Sequence, residues 1–201
     1  MLCVHDISWK GTRGRKPARM AKHALFSKKG CLIQVATGTE ETVERGFCRQ
    51  VNHDVYGKCF HPTRVMRKKL RGQWLEISEK LIPGYVFITS DDPNELNQAL
   101  RDIPALTKLL GHEGDAFTGL RESEEEWLLR LVSPEENRTE VGLSTVEIDE
   151  NDEVTVLDGP LKGMLGQIKK IDLHRRHAEV EVTFMNRTIL LYLGFELIKK
   201  A

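Results

Sequence analysis

From Cys31 onward the apolar positions change period repeatedly, and each change marks an element. Leu32, Ile33 and Val35 form a short strand-like run, and Thr37-Gly38 supplies turn chemistry. Thr39, followed by Glu40 and Glu41, reads as a capped helix entry. Val43, Phe47 and Val51 then recur every fourth residue, which gives one apolar face to a helix lying on a sheet. Phe60, Val65 and Leu70, the Arg71-Gly72 turn, and Trp74, Leu75 and Ile77 predict a hairpin with long strands. The continuous run from Leu81 to Ile88 predicts a buried strand. Asp91, Asp92 and Pro93 open a helix carrying Leu96 and Leu100, since Asp caps free N–H groups and Pro suits a first turn. Leu106 to Leu110 reads as a returning strand. Ser123 with Glu126 reads as the capping box of a last helix whose buried stripe is Trp127, Leu128, Leu131 and Val132. The order β-α-β-β-α-β-α predicts an α+β sandwich.

Residues 134–150 hold few large apolar side chains and much acid, which predicts a linker. Beyond them Val154/Val156, Ile168/Ile171, Val180/Val182/Phe184 and Ile189/Leu191 alternate in short strands. Asp158-Gly159-Pro160, His174-Arg175-Arg176 and Met185-Asn186 separate those strands, a pattern that predicts an all-β barrel of about fifty residues. Residues 1–29 show no sustained period and read as a basic, mostly disordered arm. Four units follow: the arm at 1–29, an N-terminal domain at 30–133, the acidic linker at 134–150 and a barrel at 151–201.

Charge refines this picture. The 201 residues carry 30 Lys and Arg against 30 Asp and Glu, but the balance is uneven along the chain. Cations crowd the arm, and Glu122, Glu124, Glu125 and Glu126 open an acidic stretch. No apolar run approaches the ~20 residues that span a bilayer, and no secretory signal is seen, so a cytoplasmic protein without a membrane partner is expected. Cys3, Cys31, Cys48 and Cys59 are irregularly spaced, which predicts reduced thiols. Cys48, His53, Cys59 and His61 match no usual zinc spacing. Nucleophile–base pairs, paired carboxylates and a phosphate-cradling glycine loop ahead of a helix are not recognisable, so neither an enzyme nor a cofactor is expected.

The run Val154-Thr155-Val156-Leu157-Asp158-Gly159-Pro160-Leu161-Lys162-Gly163-Met164-Leu165-Gly166-Gln167-Ile168 resembles the KOW motif. Gly159 and Gly163 are placed to take positive φ there, and Gly166 to let two strands approach. Upstream, Thr37-Gly38-Thr39-Glu40-Glu41, Pro62-Thr63 and Pro83-Gly84-Tyr85-Val86 resemble the N-terminal domain of the NusG family, in the right order. The resemblance runs from about residue 31 to the C-terminus. Within the family, Lys108-Leu109-Leu110-Gly111, Leu128-Leu129-Arg130-Leu131 and Lys169-Lys170-Ile171-Asp172-Leu173-His174-Arg175-Arg176 look most like specialised paralogs of the LoaP type. The sequence departs from the family where an aromatic pair usually opens the first strand, here Gly30-Cys31, and where another precedes Pro83, here Leu81-Ile82. Met185-Asn186 replaces the usual Phe-Gly of the last hairpin, and Asn tolerates a left-handed turn.

The resemblance implies a NusG N-terminal α/β sandwich followed by a small SH3-like β-barrel, the KOW domain. It implies a monomeric transcription elongation factor that binds bacterial RNA polymerase, suppresses pausing or termination, and engages a nascent RNA hairpin. Rho or a ribosomal protein are further family partners, less safely carried over. Pro83, Gly84, Tyr85 and Phe87 are the candidate polymerase-facing residues, with packing as the competing role for the two aromatics. Lys162, Lys169, Lys170, His174, Arg175, Arg176 and Arg187 are the candidate RNA-binding residues, because clustered cations on turns and strand ends are the footprint of phosphate binding. The alternative is a KOW-containing ribosomal or ribosome-assembly protein. The long N-terminal domain and the neutral net charge favour the polymerase factor.

Overall fold

The computed structural model describes residues 29–101, 117–149 and 153–199. The basic arm up to residue 28, the strand expected at Leu106 to Leu110 and the Lys108-Leu109-Leu110-Gly111 segment lie outside the described residues. Among the described residues, no helix is long and apolar enough to cross a membrane. The described residues divide into two compact units, one drawn from 29–63, 80–101 and 117–141 and the other from 64–79, 142–149 and 153–199.

The first unit is built on a four-stranded antiparallel sheet. Its strands are β1 (Lys29–Gln34), β2 (Cys59–Phe60), β5 (Tyr85–Ser90) and β6 (Phe117–Gly119), in the order β2-β5-β1-β6. Alternation sends Cys31, Ile33, Val86 and Ile88 to one face, where Val43 and Phe47 of α1 (Glu40–Gln50) and Leu96 of α2 (Pro93–Arg101) cover them. Each large side chain buried there stabilises the fold by roughly 2 kcal/mol. Leu32 and Phe87 point to the other face and are also buried. α3 (Glu122–Leu131) carries buried Trp127, Leu128 and Leu131, and its Glu125 accepts the Gly30 N–H at 2.9 Å.

Local chemistry sets the element ends. Asp92 caps α2, its Oδ1 accepting the N–H groups of Asn94 at 2.8 Å and Glu95 at 3.3 Å. The expected Ser123/Glu126 box sits two residues earlier: α3 starts at Glu122, and Glu124 reaches back to the Arg121 N–H at 2.9 Å. Glu124 is buried, so the box forms where its carboxylate is shielded from water. The strand expected from Leu81 begins only at Tyr85, because Gly84 takes a φ of +86° and breaks the extended run.

After the short β7 (Glu140–Val141), the second unit has a five-stranded sheet, β10-β11-β12-β8-β9. Its members are β8 (Ser144–Ile148), β9 (Val154–Asp158), β10 (Ile168–Asp172), β11 (His177–Phe184) and β12 (Arg187–Lys199). The acidic segment expected to be a linker is therefore structured in part. Residues 144–148 pair in parallel with β12 and antiparallel with β9, and the barrel begins near 142. Only Val146 and Ile148 of this strand are large and apolar, so a composition-based boundary overlooks it.

Between β9 and β10 the chain takes 3-10 turns over Pro160–Gln167, with Leu161 and Met164 buried. Of the three motif glycines only Gly159 is left-handed, at φ +90°, and it is also where strands meet: a Cβ there would lie 2.6 Å from Ser144 Cα. Gly163 falls inside the helical turns, and a Cβ on Gly166 would meet nothing within 4 Å. Met185 and Asn186 both take positive φ, 51° and 59°, in the turn before β12. Packed with this barrel is the hairpin of β3 (Thr63–Leu70) and β4 (Gln73–Lys80), closed by Arg71 at φ 49° and Gly72 at φ 85°.

Candidate nucleic-acid interface

The β10–β11 turn is a shaped cationic tip. Asp172 Oδ1 accepts the Arg175 N–H at 2.8 Å, an Asx-type closure, and Arg176 takes a φ of +59° to bring the chain back into β11. Asp172 pairs with His177 at the end of the ladder, and the Arg176 carbonyl accepts the Phe195 N–H at 3.0 Å. His174 and Arg175 are exposed, whereas Arg176 is half-buried, with its guanidinium 5.0 Å above the centre of the Trp74 ring. Beneath the tip, His177 is buried edge-on against Tyr192, ring centres 5.2 Å apart. Burial lowers its pKa below the ordinary 6.5, with Arg175 and Arg64 adding to the shift, against the pull of Asp172 and Glu179. This histidine is therefore neutral at pH 7 and adds no charge to the tip.

The other expected cations are not all gathered here. Lys169 and Lys170 lie on β10 beside the tip, each facing a carboxylate of β11: Glu181 at 2.9 Å and Glu179 at 3.9 Å. Lys162 belongs to the 3-10 segment at the far end of β10, and its Nζ donates to the Leu157 carbonyl at 2.9 Å. Arg187 pairs with Phe184 at the opposite end of the 8-residue β11 from His177, roughly 23 Å along the strand. The seven cations thus form one cluster of five, with Lys162 and Arg187 apart from it.

The Pro83 to Phe87 segment also divides. Pro83 is exposed and Tyr85 half-buried, but Phe87 is 1% exposed and stacked on Phe60 with ring centres 5.7 Å apart. Phe87 is a core residue. Gly84 is buried, its N–H donating to Glu40 Oε1 at 2.7 Å and its carbonyl accepting the Val35 N–H at 2.8 Å. Glu40 also accepts the Gly38 N–H at 2.9 Å and is ion-paired to Lys80. Burial pushes its carboxyl up, but Lys80 and the backbone donors together hold its pKa below the ordinary 4.5.

Of the expected poor metal set, His61 pairs with Glu44 at 2.5 Å, and Cys48 with Cys59. Among the described residues, no group of three or more His, Cys, Asp or Glu side chains is placed to hold a metal ion.

Sequence reasoning passed over the β3–β4 hairpin as a charged element and Gly194 as its seat. A Cβ on Gly194 would lie 2.5 Å from the Val65 carbonyl oxygen and 3.2 Å from Met66 Cα. A glycine inside the run Leu190-Leu191-Tyr192-Leu193-Gly194-Phe195 was the available signal, since a strand-interior glycine marks close backbone approach.

Two sequence profiles match this chain in succession. That described as Transcription termination factor nusG covers residues 31–129, and that of the KOW motif covers residues 150–184. The chain belongs to the NusG family. Its curated relatives include the Transcription termination/antitermination protein NusG of Rickettsia prowazekii, 23% identical over 87% of this chain and 91% of that protein. The protein of the same name from Halalkalibacterium halodurans is 26% identical over 87% of this chain and 99% of its own length. A solved structure titled Domain interaction in Thermotoga maritima NusG aligns with TM-score 0.44 and 23% identity, over 85% of this chain and 95% of that one. The KOW match ends at Phe184, so β8 and β12 complete the NusG-family barrel outside the matched motif.

Proposed function

We propose that this NusG-family chain is a transcription elongation factor that binds bacterial RNA polymerase through its N-terminal unit and promotes antitermination, while its KOW barrel holds a hairpin of the nascent RNA. The observation that carries the reading is the succession of the two matched segments on a chain whose barrel ends in a cationic turn. The names of the relatives, transcription termination/antitermination proteins, support it. On the polymerase side, Pro83 and Tyr85 are the contact residues and Phe87 supports them from the core. On the RNA side, Arg175, Arg176 and His174 meet phosphate directly. Lys169 and Lys170 join by exchanging Glu181 and Glu179 for phosphate oxygens.

The finer form of the proposal is a specialised paralog of the LoaP type. The segments Lys108-Leu109-Leu110-Gly111 and Leu128-Leu129-Arg130-Leu131 and the cationic tip Lys169-Lys170-Ile171-Asp172-Leu173-His174-Arg175-Arg176 support it.

The test is capture on immobilised elongation complexes against purified ribosomes, followed by transcription through an intrinsic terminator. Retention on the elongation complex with raised readthrough is expected. Capture by ribosomes alone would overturn the reading. Including Rho in the transcription assay tells whether its action is opposed.

A further inference from the structure

Hairpin β3–β4 is strongly basic on its first strand and turn, with Arg64, Arg67, Lys68, Lys69 and Arg71. Three of these are neutralised nearby. Arg64 and Lys68 pair with Glu79 at 3.4 and 3.0 Å, and Arg67 pairs with Glu76 at 3.1 Å and with Glu196 of β12 at 3.0 Å. Lys69 and Arg71 have no such carboxylate among the described residues. Both are exposed, on either side of Leu70, itself 60% exposed.

The hairpin's position against the barrel brings these two cations to the KOW tip. A two-residue turn sets Lys69 across from Trp74 on the same face, about 5 Å away. The ring of Trp74 carries the Arg176 guanidinium at 5.0 Å. Arg71 is three residues from Trp74, or roughly 10 Å along the strand. The seat is built into the barrel, because the β3 backbone fills the space that a Cβ on Gly194 would need. Stacking on an indole also orders a guanidinium while leaving its in-plane N–H donors available to phosphate oxygens. Glu76 and Glu196 face Arg67, and Asp172 accepts the Arg175 N–H.

We propose that Lys69 and Arg71 extend the KOW tip into one phosphate-binding surface, so that an RNA stem held by Arg175 and Arg176 also lays its backbone across the hairpin turn. This rests on the RNA-binding reading above. It adds a second contact region, just over a hundred residues upstream of the tip in sequence, that widens the footprint beyond the KOW motif.

The experiment is fluorescence anisotropy of the full chain against a fluorescein-labelled RNA stem-loop of mixed sequence, across a series of KCl concentrations. Lys69→Ala/Arg71→Ala is expected to weaken binding roughly tenfold at low salt and to lower the slope of log affinity against log salt by about two, one per lost phosphate contact. Arg175→Ala should lower the slope by about one. Arg45→Ala/Arg49→Ala, which removes two cations of α1, should leave the slope unchanged. If Arg175→Ala weakens binding while Lys69→Ala/Arg71→Ala changes neither affinity nor slope, the extended surface is wrong and the RNA-binding tip stands. An equal loss in the α1 variant would reduce the effect to net charge and overturn the assignment. If the unaltered chain shows no salt-dependent RNA binding, the RNA reading and this extension fail together.

Discussion

Glu40 Oε1 accepts the N–H of Gly84 at 2.7 Å, across 44 residues of sequence and fully out of water. The same carboxylate holds the Gly38 N–H and pairs with Lys80, so one side chain joins the entry of α1, the end of β4 and the turn that opens β5. A buried carboxylate survives only when its lone pairs are satisfied. Here two backbone donors and an ammonium do so.

Glu40→Gln should therefore destabilise the N-terminal unit by about 3 kcal/mol, because Lys80 loses its partner and the amide brings donors where acceptors are needed. Urea unfolding followed by circular dichroism measures this. The folded pKa of Glu40 lies below its ordinary 4.5, so its contribution is present above that value and is lost as pH falls through the folded pKa. The unaltered protein should lose more stability on acidification below pH 4.5 than the Gln variant does.

Tyr85 and Phe87 should separate packing from recognition. Phe87→Ala removes a ring stacked on Phe60 and is expected to cost about 3–5 kcal/mol of stability. Tyr85→Ala, at a half-buried position, should cost far less stability yet weaken retention on immobilised polymerase. A Tyr85 variant retained as well as the unaltered protein would remove that residue from the contact.

Arg175→Ala with Arg176→Ala should weaken RNA stem-loop binding by about 1–3 kcal/mol while the barrel stays folded, because neither side chain belongs to the core. Titration at fixed salt, with thermal unfolding as the control, decides it.

Gly194→Ala is expected to lower stability by about 1–3 kcal/mol through overpacking, since its Cβ would lie 2.5 Å from the Val65 carbonyl oxygen and 2.8 Å from Leu143 Cδ2. Gly142→Ala, where a Cβ meets nothing within 4 Å, is the matched control. Comparable melting temperatures for the two variants would mean that the hairpin does not need the glycine.

Cys48 should react as a thiolate near neutrality. The adjoining Cys59 thiol brings its pKa down to about 6, against burial, which raises it. Burial and the same pairing push Cys59 well above its ordinary 9.0. Iodoacetamide should thus modify Cys48 with a half-maximal rate near pH 6 and leave Cys59 largely untouched, as read by peptide mass spectrometry. Cys59→Ala, which removes that donor, should move the Cys48 profile toward higher pH.

The elements legible in the chain were those whose signal is local. Val43 and Phe47 repeat at the helical period and do line the buried face of α1; Asp92 caps α2, and Arg71-Gly72 closes a two-residue hairpin turn. The α+β unit, the barrel and the arginine tip followed from such patterns. Partnerships between distant residues had no local signature. β8 is mostly polar and became a strand only because β12 and β9 flank it, so it read as linker. Phe87 looked available as an interface aromatic until the opposite face of the sheet proved to be covered. Lys162, Arg187 and Arg175 are near one another in sequence, but an eight-residue strand holds Arg187 at the far end of the barrel from the tip. Trp74, about a hundred residues upstream, instead lies beneath Arg176. Periodicity and turn chemistry depend on neighbours within a few residues. Which cations share a surface depends on strand order and on where a missing Cβ lets two backbones meet, and those are set only when the whole chain packs.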